Sequence, residues 1–189
     1  MLFSRKKIIM ATVVAVAAII VLVTQIGASG SGQGALKLEG AWVSRVTSVE
    51  GIAGKYPFQW SWVMAPDASG RRGTLHGSVD VGFGQSAEIG GDFVTPLIGE
   101  FVLTGPDTAA FNSYWYGIKK GAVNQIVSIG RSWGETRSTG PGKSETTYHF
   151  EIYLPSADTD GDGFPEAEAV PFKQFTVTSE DTRIPPPEP

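Results

Sequence analysis

Three aspartates stand at alternate positions in Asp158-Thr159-Asp160-Gly161-Asp162-Gly163. Alternate carboxylates converge when a chain curls, and a glycine at the sixth position permits the sharp turn that brings them together. Such a set offers hard oxygen ligands to calcium, which takes six to eight of them. The backbone carbonyl of Phe164 falls at the seventh position, and Glu166 and Glu168 fall at the ninth and eleventh. The twelfth, where a bidentate glutamate completes a twelve-residue calcium loop, is Ala169. Three carboxylates this close repel one another unless a cation neutralises them, so a structural calcium ion is the expected occupant. The other reading is a solvated acidic turn.

Two further constellations are candidates for chemistry. Gly130-Arg131-Ser132-Trp133-Gly134 has the Gly-x-Ser-x-Gly spacing of a hydrolase nucleophile elbow. An elbow needs a strand-to-helix turn, whereas Ser132 stands in an alternating run with no helical pattern after it. The histidines are His76 and His149, each on the polar face of an expected strand. His76 with Asp80, or His149 with Glu151, would point the same way from a strand, so two such pairs could share a metal if the fold brought them together. With no cysteine in the chain, disulfides, thiolate catalysis and Cys-based zinc sites are excluded.

The elements that would position these residues are strands. Phe58, Trp60, Trp62 and Met64 share one face of a period-two run, as do Leu75, Gly77, Val79, Val81 and Phe83, and Tyr148, Phe150, Ile152 and Leu154. Further strands are expected over 38–46, 97–104, 109–119, 125–133 and 172–178, about eight in all. Turn signals at Pro66–Gly70, Gly105–Asp107 and Gly140–Gly142 separate neighbouring runs, and Thr-Gly-Pro occurs twice, at 104–106 and 139–141. After residue 37 no stretch has a convincing helical period. The fold expected over 37–184 is all-β, an antiparallel up-and-down barrel of about eight strands, with a two-layer β-sandwich as the alternative. Tyr114-Trp115-Tyr116 puts aromatic rings on both faces of one strand, so one side should join the core and the other form a platform or a second buried layer.

Ahead of this domain, Arg5-Lys6-Lys7 precedes an apolar run from Ile8 to Val23, and small residues follow from Gly27. That order marks residues 1–30 as a signal peptide or signal anchor, with a Gly/Ser spacer over 31–36. The positive end stays inside, so the rest is expected outside the cytoplasm: periplasmic, secreted, or held at the membrane by an uncleaved segment. Without Arg5, Lys6 and Lys7 the 15 bases fall to 12 against 19 acids, a net charge of −7, which disfavours nucleic acid, so none is expected as a partner. Residues 185–189 are expected to form an extended proline-rich tail.

Two resemblances add to this. The Asp-x-Asp-x-Asp-Gly core resembles EF-hand-type loops and the calcium loops of dockerin and thrombospondin-type repeats, although no helices flank it. Gly40-Ala41-Trp42, on the first strand, is similar to the Gly-x-Trp motif that opens lipocalins and related calycin barrels. In that family the tryptophan closes the barrel base and stacks under an arginine from the end of the last strand. Arg183, just past the last expected strand, stands where that arginine would be. The resemblance implies a barrel with a cup for a small apolar ligand, but no C-terminal helix follows and the family's other loop motifs are missing. The expected function is that of an exported, non-catalytic ligand-binding or structural module with a calcium-stabilised loop. The alternatives are a surface module that binds carbohydrate or protein through exposed aromatics, and a serine hydrolase using Ser132.

Overall fold

The structure, a computed structural model, describes residues 38–50, 59–79 and 91–185. The expected targeting segment, the 31–36 spacer, Phe58, Asp80, Val81, Phe83 and the end of the proline tail lie outside the described residues. No helix among the described residues is long and apolar enough to cross a membrane.

Among the described residues nine strands run in chain order: β1 (Gly40–Glu50), β2 (Gln59–Pro66), β3 (Arg72–Val79), β4 (Phe93–Val94), β5 (Leu97–Leu103), β6 (Thr108–Lys119), β7 (Gln125–Gly140), β8 (Lys143–Tyr153) and β9 (Lys173–Arg183). All pair antiparallel. Eight of them close a barrel, because β9 pairs with both β8 and β1 while β6 pairs with both β5 and β7. The two-residue β4 is an extra strand on β6. The fold is thus the up-and-down barrel, not the sandwich.

Period-two alternation decides what enters the barrel. Trp60, Trp62 and Met64 of β2, Phe111 and Trp115 of β6, and Tyr148, Phe150 and Ile152 of β8 all point inward and are buried. Their rings pack on one another: Trp60 lies 4.7 Å from Tyr148 and 5.4 Å from Phe150, and Phe150 stacks on Phe175 at 4.8 Å. An eight-stranded barrel is just wide enough for side chains to fill it, so large rings need small residues opposite them. Gly130, paired with Trp115 across β6 and β7, is such a residue: a β-carbon there would lie 2.0 Å from the indole.

Three expected boundaries need correction. Strand β7 continues seven residues past the expected end at Trp133, and β1 runs on to Glu50. Strand β9 runs on to Arg183, which is therefore inside the last strand, not beyond it. The cause is common to β7 and β9: their later inward positions include Gly134 and Thr136, and Ser179 and Asp181, which carry no apolar signal although they are inside.

Gly130→Ala tests the fit of ring to glycine. Overpacking a filled interior against an indole should destabilise the protein by about 3 kcal/mol or more, read as a lower denaturant midpoint at unchanged slope. Wild-type stability in this variant would show that Trp115 does not lie against the β7 backbone.

Candidate functional site

At the barrel base, Trp42 of β1 lies directly opposite Arg183 of β9. The Arg183 guanidinium sits over the Trp42 ring, 5.0 Å from its centroid, and Trp42 also stacks on Trp62 at 5.2 Å. Trp42 Nε1 donates to the Leu38 carbonyl at 3.0 Å. Gly40 has φ of +113°, a conformation open to glycine and strained for other residues, which is a physical reason for glycine two places before the tryptophan. The two residues picked out as a closing pair are therefore in contact.

Inside the wall formed by β1, β9, β8 and β7 lies a polar cluster that sequence reasoning missed. Asp181 is 1% exposed and accepts hydrogen bonds from Ser144 Oγ at 3.0 Å, Thr146 Oγ1 at 2.5 Å and Ser179 Oγ at 2.8 Å. Thr136 Oγ1 is 2.9 Å from Thr146 Oγ1. The buried Tyr148 hydroxyl lies beside this cluster, near Ser44, Ser179 and Thr146. Burial, reinforced by the Asp181 charge, raises the Tyr148 pKa well above its usual 10.0. Next to the cluster an interior cavity of about 30 Å³ is lined by Trp60, Trp62, Met64, Leu75 and Phe111, with Thr146 and Tyr148 at one side. A buried water needs roughly 10–15 Å³ and a small-ligand site about 300–1,000 Å³, so the cavity has room for one or two waters.

The calcium candidates lie outside the barrel, in the connection between β8 and β9. One carboxylate oxygen from each of Asp158, Asp160 and Asp162 falls within 4.8 Å of the others. The backbone curls around these groups: Gly161 N and Gly163 N donate to the two oxygens of Asp158 at 2.8 and 3.0 Å, and Phe164 N donates to Asp162 at 2.8 Å. Gly161 and Gly163 take positive φ, +78° and +93°. Glu166 is not in the group and acts as a clasp. Its Oε1 accepts from the Thr159 amide at 3.1 Å and from the Thr159 hydroxyl, while its own amide bonds Ala157 O at 2.8 Å. Those Thr159 bonds hold the Glu166 carboxyl below the usual carboxylate range. Glu168 is exposed and also stands apart from the three aspartates.

This loop covers the outer face of β6. Tyr116 Oη donates to Gly163 O at 3.0 Å, and Phe164 meets Tyr114 edge-on at 4.7 Å. The outer side of the 114–116 aromatic strand is thus a second packed layer. Burial first, then the charges of Asp158 and Asp162, raise the Tyr116 pKa.

The other candidates do not assemble. Ser132 points inward, is fully buried, and accepts a hydrogen bond from Trp115 Nε1 at 3.0 Å. His149 neighbours it across β7 and β8 but faces out, where its ring meets Trp133 at 4.3 Å and its Nδ1 is 3.1 Å from Thr176 Oγ1. A nucleophile and base on opposite faces of one wall cannot exchange a proton. His76 and His149 sit on β3 and β8, with three strands between them in either direction around the barrel.

In comparisons with known proteins, no family model matches this chain, and neither does any curated protein or solved structure.

Two outcomes follow from this geometry. Ser132→Ala should leave Trp115 Nε1 without its buried acceptor and lower stability by about 1–3 kcal/mol, while a fluorophosphonate probe labels neither form. Labelling of the wild type alone would restore Ser132 as a nucleophile. The second outcome concerns alkaline pH. Tyr148 ionises near 10.0 when unfolded and only at higher pH when folded, so above pH 10 the unfolded state holds fewer protons. Stability should then be intact below pH 10 and fall above it, by up to about 1.4 kcal/mol per pH unit from this residue. Tyr148→Phe should flatten that fall in denaturant titrations between pH 9 and 11.

Proposed function

We propose that this chain is an extracytoplasmic, non-catalytic β-barrel module whose β8–β9 connection is held against the barrel wall by a structural calcium ion. The observation that carries the calcium reading is the convergence of three aspartate oxygens within 4.8 Å, in a loop anchored to β6 through Gly163 and Phe164. Asp158, Asp160 and Asp162, with the Phe164 carbonyl, would supply the protein ligands. Each carboxylate oxygen already bonded to a backbone amide keeps a second lone pair for the ion. Waters would complete the sphere, because Glu166 is engaged with Thr159. A site short of the bidentate glutamate has the modest affinity of extracellular modules, about 10⁻⁴–10⁻³ M.

A structural role agrees with the filled interior and with the separation of Ser132 from His149. Of the two non-catalytic readings, the 30 Å³ cavity favours the structural one over an apolar cup. An extracytoplasmic location rests on Arg5–Lys7 and the apolar run from Ile8, and it agrees with a module that has no cysteine and uses millimolar calcium instead of disulfides.

Calcium at about ten to a hundred times its Kd should stabilise the fold by about 1.4–2.7 kcal/mol, or roughly 3–8 °C in Tm. EDTA should remove the gain. Asp160→Ala should abolish it and change the calcium-free stability little, because the lost Asp162 N–Asp160 hydrogen bond is offset by relief of one repelling charge. Calcium should also move the Tyr116 titration to lower pH by neutralising Asp158 and Asp162, and Asp160→Ala should suppress that shift. Equal calcium effects in wild type and Asp160→Ala would reduce the loop to a solvated turn.

A further inference from the structure

The outer wall of β7, β8, β9 and β1 carries side chains in register. Trp133 lies opposite His149, His149 opposite Thr176, and Thr176 opposite Glu50, so one row crosses four strands. At about 4.8 Å per strand the row spans roughly 14 Å. In the next row Glu151 stands opposite Gln174. These six side chains line a hollow of about 460 Å³ on the outside of the barrel. Trp133 is 39% exposed, a large ring left on the surface of a protein that buries Trp42, Trp60, Trp62 and Trp115.

We propose that this hollow is a saccharide-binding face with Trp133 as its platform. The argument rests on which ligand chemistry the row can satisfy. An indole next to His149, Gln174, Thr176 and Glu50 offers one apolar surface, followed by groups that donate and accept hydrogen bonds. A sugar ring has that composition, C–H groups on its faces and hydroxyls around its rim. Anionic ligands fit poorly. The one guanidinium beside the hollow, Arg131, is committed to Asn112 at 2.9 Å and Glu151 at 3.3 Å, and Glu50 and Glu151 are themselves negative. An apolar chain fits poorly too, because Trp133 is the one large apolar side chain in the two rows. The row is also pre-ordered: His149 Nδ1 is engaged with Thr176, and Tyr153 Oη donates to Glu151 at 2.9 Å. Little side-chain freedom would be lost on binding.

The face is separate from the calcium loop, so the two readings fail separately. Purified full-length domain, in calcium and in EDTA, would be titrated calorimetrically with hexasaccharides of β-1,4-linked glucose, N-acetylglucosamine and mannose and of α-1,4-linked glucose. At least one should bind, with affinity reduced about tenfold or more in Trp133→Ala, weakened in Gln174→Ala and largely kept in Trp133→Phe. Circular dichroism would verify that the variants are folded. Absence of binding by all four at millimolar concentration overturns the proposal. So does binding that Trp133→Ala leaves unchanged, and so does a Trp133-dependent interaction found only with a protein partner.

Discussion

The hydrogen bonds between β1 and β9 join the two ends of a simple meander, and the interior takes its character from that closure. Before it, each strand has one face to bury and the sheet has two edges open to other chains. After it, the wall has no outer-strand edge among the described residues apart from the two-residue β4, and the inner faces must fill a space about one side-chain layer wide. The closing pairing runs from Trp42–Arg183 to Glu50–Thr176 with one irregularity between Val46 and Ser48. The contact of Arg183 with Trp42 caps that seam at the base, and the backbone adds a bond from Ile184 N to Ala41 O at 2.8 Å.

Filling such a space with rings alone leaves gaps, and this barrel uses two kinds of small residue to avoid them. Glycines lie against two of the inward rings, Gly130 under Trp115 and Gly134 beside Phe111. Hydroxyl residues occupy the part of the interior near Asp181, where Ser44, Thr136, Ser144, Thr146 and Ser179 gather. A buried carboxylate is tolerated only with its lone pairs filled, and here three hydroxyls fill them. The asymmetry of such networks makes their members interdependent. Loss of Asp181 would strand three hydroxyl donors, and loss of one hydroxyl would strand part of a charge. Trp62 belongs to both worlds, stacked on Trp42 and donating its Nε1 to Ser44 Oγ at 2.9 Å.

The same division explains what could be read from the amino acids alone. Where inward positions are aromatic or aliphatic, as at Trp60-x-Trp62-x-Met64 or Tyr148-x-Phe150-x-Ile152, alternation marked the strand and its buried face. The all-β class and the strand count follow from those signals, whereas the Trp42–Arg183 closure follows from the resemblance of Gly40-Ala41-Trp42 to the Gly-x-Trp motif. Where inward positions are Ser, Thr, Gly or Asp, alternation vanished although the geometry continued, so β7 was cut short at Trp133 and Arg183 fell outside its strand. The usable signal was continuity of period: Phe175, Val177, Ser179 and Asp181 keep one face whatever their polarity. Asp158, Asp160 and Asp162 were legible as a set because the loop is local. Its docking on Tyr114 and Tyr116, some 47 residues away, was not, and neither was the Trp133 row, which needs the register of four strands.

The loop's position against the wall has a physical reason in its length. The connection between Tyr153 and Lys173 carries one short 3-10 turn, Pro155–Ala157, and little other regular structure. Connections of more than about 12–15 residues without secondary structure are rare in compact domains unless something organises them. Backbone amides donated to Asp158, Asp160 and Asp162 organise this one from within, and the Thr159–Glu166 clasp closes its neck. These bonds use carboxylates as acceptors and so concentrate negative charge at the surface, beside a tyrosine hydroxyl whose ionisation that charge already opposes. The device that orders the loop is the one that creates the repulsion. On the calcium reading proposed above, a divalent cation would offset most of that charge, while the contacts of Gly163 and Phe164 hold the loop on the barrel.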